Sequence, residues 1–339
     1  MSKGNTLSRY YLSIYYDTTI WVNIVKRKSN LYDNICNVEN IISAFNEVCR
    51  NMKNKRKLNE FKEFKCMYVS KIYRTLINRE YKVGPYNVFT IYEPKKRRIV
   101  SQGVFDKIIN HLVARYILIP ALLPSLIDQN VASRVDMGTK KGLEYYYKYR
   151  NICECKYKKY YILKCDISSF FASINQDILK EKIKKKIKDK DALKIVFDVI
   201  DSEENGLGIG NMTSQVLAIF YLNDMDHFIK EELKIKYYIR YQDDFLLMHP
   251  SKEYLRECLE KIRKFLVREK LSLNKKTRVY SNYDNFIFLG RTIKGRYAKY
   301  RTVKRRLKKR EYLYNVGNIS LMSYVGSVIC YDYLKKSIR

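Results

Sequence analysis

The chain has 339 residues, 46% of them hydrophobic, which supplies a sizeable core and excludes a disordered protein. Lys and Arg number 67 against 35 Asp and Glu, a formal charge of +32 that points to a polyanionic partner, nucleic acid first, although a Lys-rich codon bias would raise the charge too. Eight Cys without C-x-x-C spacing and no His pair argue against a zinc module and suit reduced thiols in a cytoplasmic protein, while no apolar run approaches the roughly 18 residues of a membrane span.

Residues 40–52 carry Ile41, Ile42, Phe45 and Val48 at helical spacing and predict an amphipathic helix. The basic run 51–57 reads as a solvated turn, and a second helix is expected over 58–79, ended before Gly84-Pro85. Residues 88–100 predict two short strands around Glu93-Pro94. In the second, alternation puts Lys95 and Arg97 on one face, where they could grip a triphosphate or simply protect a charged edge. A helix over 105–119 is expected to stop at Pro120, with His111 inside it in a structural role. Residues 138–142, bounded by Gly, read as a basic loop near nucleic acid.

Residues 160–166 form a strong strand pattern ending in Asp166. A helix with a Lys-rich face follows from Gln176. Residues 206–215 are a Gly-rich turn opening a helix expected over 213–232. Next comes strand, tight acidic turn, strand, with Asp243-Asp244 between Tyr237-Tyr238-Ile239 and Phe245-Leu246-Leu247-Met248. A helix over 252–269, strands after Lys276-Thr277 and at 286–290, and two basic helices over 303–314 and 320–336 complete the chain.

Two adjacent acids repel and call for a cation. By itself such a pair is more often a solvated hairpin tip. If the two acidic strands lie side by side, Asp166 and Asp243 converge on one site, and oxygen ligands without His or Cys suit Mg²⁺, with Mn²⁺ as an alternative. With the basic charge this predicts nucleotidyl transfer by two-metal chemistry.

The ordered set resembles the reverse transcriptases over about residues 86–290. Tyr241-Gln242-Asp243-Asp244 is similar to the family's Tyr-X-Asp-Asp box, and Asp166 to Phe171 resembles its first acidic motif. The resemblance implies catalytic Asp166, Asp243 and Asp244, with the metals held by these and the Ile167 carbonyl. It implies dNTP contacts at Lys95, Arg97, Phe171 (the gate against ribonucleotides), Ile209, Gly210, Gln215 and Lys276, and a primer grip at Phe288, Leu289 and Gly290. The implied fold is α+β, a right-hand polymerase. Its expected parts are an N-terminal helical extension (1–60), fingers (61–158), a palm with an antiparallel sheet (159–293, with a finger insertion near 176–205) and a short basic helical thumb (294–339).

The form Ile209-Gly210-Asn211-Met212-Thr213-Ser214-Gln215 further resembles the enzymes of prokaryotic diversity-generating retroelements, which misincorporate opposite template adenines. That resemblance implies template RNA, an RNA/cDNA duplex and dNTPs as partners, together with a small basic accessory protein and no membrane. Asp106-Lys107 and Gly208 depart from the family pattern without removing a catalytic group. The alternatives are an antiphage defence reverse transcriptase and a non-catalytic RNA-binding protein.

Overall fold

Apolar residues at helical spacing form α2 (Val38–Arg50), after a short α1 (Tyr32–Ile35), and bury Ile41, Ala44, Phe45 and Val48. The computed structural model describes residues 27–50, 52, 54–91, 97–157, 159–293 and 300–338. The single helix expected over 58–79 is two, α3 (Lys55–Glu63) and α4 (Lys65–Ile77), separated at Phe64. Among its described side chains α3 covers Leu58 and Phe61 only in part, whereas α4 turns Val69, Ile72 and Leu76 into the core. β1 (Asn87–Ile91) and β2 (Arg97–Ser101) pair antiparallel, Asn87 opposite Ser101 and Ile91 opposite Arg97. Lys95 lies outside the described residues, as does the side chain of Arg97.

α5 (Val104–Leu112) runs on through a π-helical turn (Val113–Leu118) into α6 (Ile119–Leu122). Pro120 therefore does not end the helix. It occupies the first turn of α6, where a missing N–H is tolerated. The run 104–125 is long and apolar enough to cross a membrane, with a mean hydropathy of 1.4, contrary to the expectation of no such run. Its Ile108, Ile109, Leu112, Val113, Ile117 and Leu118 are fully buried in the main core, which is where its apolar face goes. α7 (Thr139–Lys156) starts directly after Gly138, so most of the expected loop at 138–142 is a first helical turn.

β3 (Tyr161–Asp166) leads through α8 (Phe170–Ser173), α9 (Gln176–Lys184) and α10 (Lys190–Asp201) to α11 (Met212–Tyr221). The helix expected over 213–232 is α11, α12 (Asn223–His227) and a π-helical turn (Phe228–Glu232), broken at Leu222. β4 (Tyr237–Tyr241), β5 (Asp244–His249), α13 (Lys252–Arg268), β6 (Arg278–Ser281) and the hairpin β7 (Phe286–Phe288) with β8 (Arg291–Ile293) follow. α14 (Tyr300–Asn315) and α15 (Leu321–Ile338) pack on one another, Tyr314 stacking on Tyr324 at 5.2 Å.

The central sheet is antiparallel in the order β4-β5-β3-β6. Alternation divides its residues between two cores. Leu163, Cys165, Tyr238, Phe245 and Leu247 face the helical core built on α2, α5, α10, α11 and α13. Ile162, Ile239, Leu246 and Met248 face a Tyr-rich core shared with α7 and the β7–β8 hairpin. Covered on both faces, the sheet is a rigid platform whose end carries the acidic residues.

Candidate active site

Asp166 is the last residue of β3 and stands directly opposite Asp244, the first of β5. Paired residues share a face, so both carboxylates lie on the Tyr-rich side of the sheet, together with Lys164 two positions before Asp166. Asp243 is in the two-residue loop that closes β4 onto β5, and its carbonyl accepts from the Ile167 N–H at 3.3 Å. The loop turns on Gln242, whose φ of 57° lies in the region usually left to glycine. The acids of both motifs are thus brought together, β3 and β5 being neighbours in the sheet.

Lys164 donates to Asp244 at 2.9 Å. Burial is the main influence on the Asp244 carboxyl and pushes it up to about 6; Lys164 pulls it down, and Asp166 and Asp243 push it up again. Asp244 is therefore already partnered by a cation of the protein. Among the described residues no three Asp, Glu, His or Cys gather into a metal cage. Mg²⁺ fits such a site, because it takes one or two carboxylates and completes its octahedron with water and substrate phosphates. The crowding of acids around Asp244 is what a divalent ion would relieve.

The Gly-rich turn is tied to the end of β2 and to the segment that follows β3. Ile209 is half-buried, and its carbonyl accepts from the Val100 N–H at 3.1 Å, tying the end of β2 to the turn. Gly210 has φ of 133°, and a Cβ there would stand 2.8 Å from the Val100 carbonyl, so glycine is required on both counts. Behind this contact a buried polar chain runs from Thr213 to Asn110 (2.5 Å), to Gln102 and on to Tyr86 (3.1 Å). Phe171 is half-buried against Phe170, its carbonyl held by the Leu207 N–H at 2.8 Å. Gln215 is exposed, 3.5 Å from Ser133.

Lys276 is exposed on the turn before β6. This turn is anchored to the site by the Asn274 N–H, which donates to the Asp166 carbonyl at 2.7 Å. In the β7–β8 hairpin Phe288 is fully buried against Tyr146, and Leu289 and Gly290 form the tight turn at φ 49° and 73°. The Leu289 side chain lies on Gly142 at the start of α7, so the hairpin is seated on the same side of the sheet as the acids.

Three side chains around the acids escape sequence reasoning. Lys164 could have been found, since it alternates with Asp166 on one strand. Ser133 donates no motif, yet it accepts from Gln242 Nε2 at 2.9 Å. Arg240, beside Tyr241, reads as a surface base but is fully buried. His111 is half-buried and lies 3.5 Å from Glu47.

Residues 82–293 match the family model described as reverse transcriptase (RNA-dependent DNA polymerase). No curated protein matches the chain in sequence. Among solved structures it is similar to the telomerase of Candida albicans in complex with a TWJ fragment of telomeric RNA, with a TM-score of 0.51, 14% identity, and coverage of 74% of this chain and 54% of that one. An apo telomerase of Candida tropicalis, truncated of its C-terminal domain, gives 0.48, 16%, 70% and 59%. The telomerase of the same species with a TWJ fragment gives 0.49, 15%, 82% and 56%. The likeness is one of fold, and the chain spans about half the length of the telomerases. From the family match over more than half of its length, the chain belongs to the reverse transcriptases and has their right-hand polymerase fold.

Proposed function

We propose that the chain copies an RNA template into DNA, adding dNTPs to a primer 3′-OH. The observation that carries this is the convergence of Asp166 and Asp244 as a cross-strand pair with Asp243 held against Ile167, inside the region matched by the family. Asp166, Asp243 and the Ile167 carbonyl would hold Mg²⁺, with Asp244 in support. Such an ion would activate the attacking hydroxyl and neutralise the leaving pyrophosphate. Lys164 keeps the Asp244 carboxylate in place and tempers the local negative charge. Phe171, on the short α8 after Asp166, would exclude a ribose 2′-OH. Lys95, Arg97 and Lys276 would neutralise triphosphate.

The 61–158 and 159–293 segments would act as fingers and palm, and 294–339 as a thumb. Exposed Arg305, Arg306, Lys308, Lys309 and Arg310 on α14 supply phosphate contacts for a template–primer duplex.

The finer reading is a diversity-generating enzyme. It rests on Ile209, which presents a half-buried alkyl group where most relatives would offer a polar amide; without that hydrogen bond, selection opposite adenine loosens. A small basic accessory protein would accompany it. Sequencing cDNA made on a mixed-base RNA template tests both levels. Synthesis with errors concentrated at adenines, reduced in Ile209→Gln, is the expected result. Synthesis with evenly spread errors would remove the finer reading, and no synthesis would remove both.

A further inference from the structure

We propose that Arg240 is a positioning residue for the acidic turn, an inference that rests on the reading of Asp243 as catalytic. Arg240 is on β4, opposite Phe245, so its side chain enters the helical core on the face away from Asp166 and Asp244. It is fully buried. Nε and one terminal nitrogen fork onto Asp226 of α12 at 2.7 and 2.5 Å. That same terminal nitrogen also donates to the Ile219 carbonyl of α11 at 2.9 Å. The other terminal nitrogen donates to the Gln242 carbonyl at 3.0 Å, one residue before Asp243. Tyr238 completes the cluster by donating to Asp226 at 2.6 Å. Burial works against the Arg240 cation, but Asp226 and Tyr238 beside it make the group hold its proton more tightly.

A pair needed only to fill the core would gain little over apolar residues of the same volume. The guanidinium does something an apolar pair could not. One rigid plane joins the acidic turn to two helices, and it does so at the loop whose Gln242 sits at positive φ. The strand backbone is fixed at the same residue. The Arg240 N–H donates to the Gln129 carbonyl and its carbonyl accepts from the Val131 N–H, both at 3.0 Å. A second bridge lies on the other side, where Ser133 accepts from Gln242 and lies 3.5 Å from Gln215. Gln215 and Ile219 are one turn apart on α11. The helix that would meet the incoming nucleotide and the turn that would meet the metal are therefore locked in register from two sides, with Arg240 as the buried lock.

Two variants test this. Arg240→Lys keeps a charge for Asp226 but cannot span Asp226, Ile219 and Gln242 together. The double variant Asp226→Leu with Arg240→Met removes both charges, leaving neither uncompensated. Single-turnover and steady-state extension of oligo-dT on poly-rA would be measured per folded molecule, with melting followed by circular dichroism. The expected result is a fall in kcat of about 10²-fold in both variants, the cost of an active group displaced by roughly 1 Å, with the KM for dTTP moving less than about 3-fold. Melting of the double variant should stay within a few degrees of the wild type. Activity that follows the folded fraction and falls no further would make Arg240 a core partner only and overturn the proposal. An inactive wild-type chain would instead refute the catalytic reading on which it rests.

Discussion

Two antiparallel hairpins of the chain are built in opposite ways. The β4–β5 hairpin makes up half of a four-stranded sheet, with β5 inside it and β4 at its edge, is covered on both faces, and has its turn tied by the side chains of Arg240 and Ser133. The β1–β2 hairpin is a sheet of two strands, with Val88 and Phe89 about half exposed, joined to the Gly-rich turn by the Val100–Ile209 hydrogen bond. A two-stranded hairpin is marginal alone. The contrast fits the roles proposed for them: oxygen ligands for a metal would have to be held to fractions of an ångström, whereas a hairpin that contacted an incoming nucleotide would not.

The contrast is broken most severely at Asp243. Asp243→Ala should lower primer extension by about 10³-fold or more while leaving the melting temperature near that of the wild type, because the site and not the fold is lost. Stability is most exposed one step behind it. Arg240→Ala or Asp226→Ala strands a buried charge and should cost about 3–5 kcal/mol in denaturant unfolding. The same titration on Phe89→Ala in β1 is the comparison.

Acidity sharpens the picture next. Asp244 is raised from the usual carboxylate range to about 6, chiefly by burial. The folded chain therefore binds more protons than the unfolded chain between about pH 4 and 6, and this group's contribution favours folding at low pH and is lost as pH rises through about 6. Without divalent metal, Asp244→Asn should gain stability over the wild type as pH is raised from 4 to 7, by up to about 3 kcal/mol from Asp244 itself. Loss of the Lys164 ion pair reduces that gain. If the proposed metal site draws on the Asp244 carboxylate, activity at limiting Mg²⁺ should rise through about pH 6, and the rise should move to lower pH as Mg²⁺ is increased.

Gly210→Ala strains the backbone and presses on the Val100 carbonyl, a cost of about 1–3 kcal/mol with a higher KM for dNTP. Phe89→Ala, half exposed, should change stability by about 0.5 kcal/mol or less.

The same contrast explains what could be read from the residues alone. The strands around Asp166 and Asp243-Asp244 were legible, and period-2 alternation says which of their residues share a face; that β3 and β5 pair with Asp166 opposite Asp244 depends on the tertiary fold. Helix interruptions at Phe64 and Leu222 were not legible, since they follow from what each segment packs against. Pro120 misled, because a π-helical turn upstream converts a terminator into a first-turn residue. Arg240 and Asp226 are fourteen positions apart and meet only when α12 folds under β4; a basic residue in a basic chain carries no sign of that.

The most direct test of the account is extension of an oligo-dT primer on poly-rA by the wild-type chain in Mg²⁺, with and without a chelator. The account predicts dTTP incorporation that stops on chelation and returns with added Mg²⁺. A folded, RNA-binding chain that extends no primer in Mg²⁺ or Mn²⁺ would contradict it.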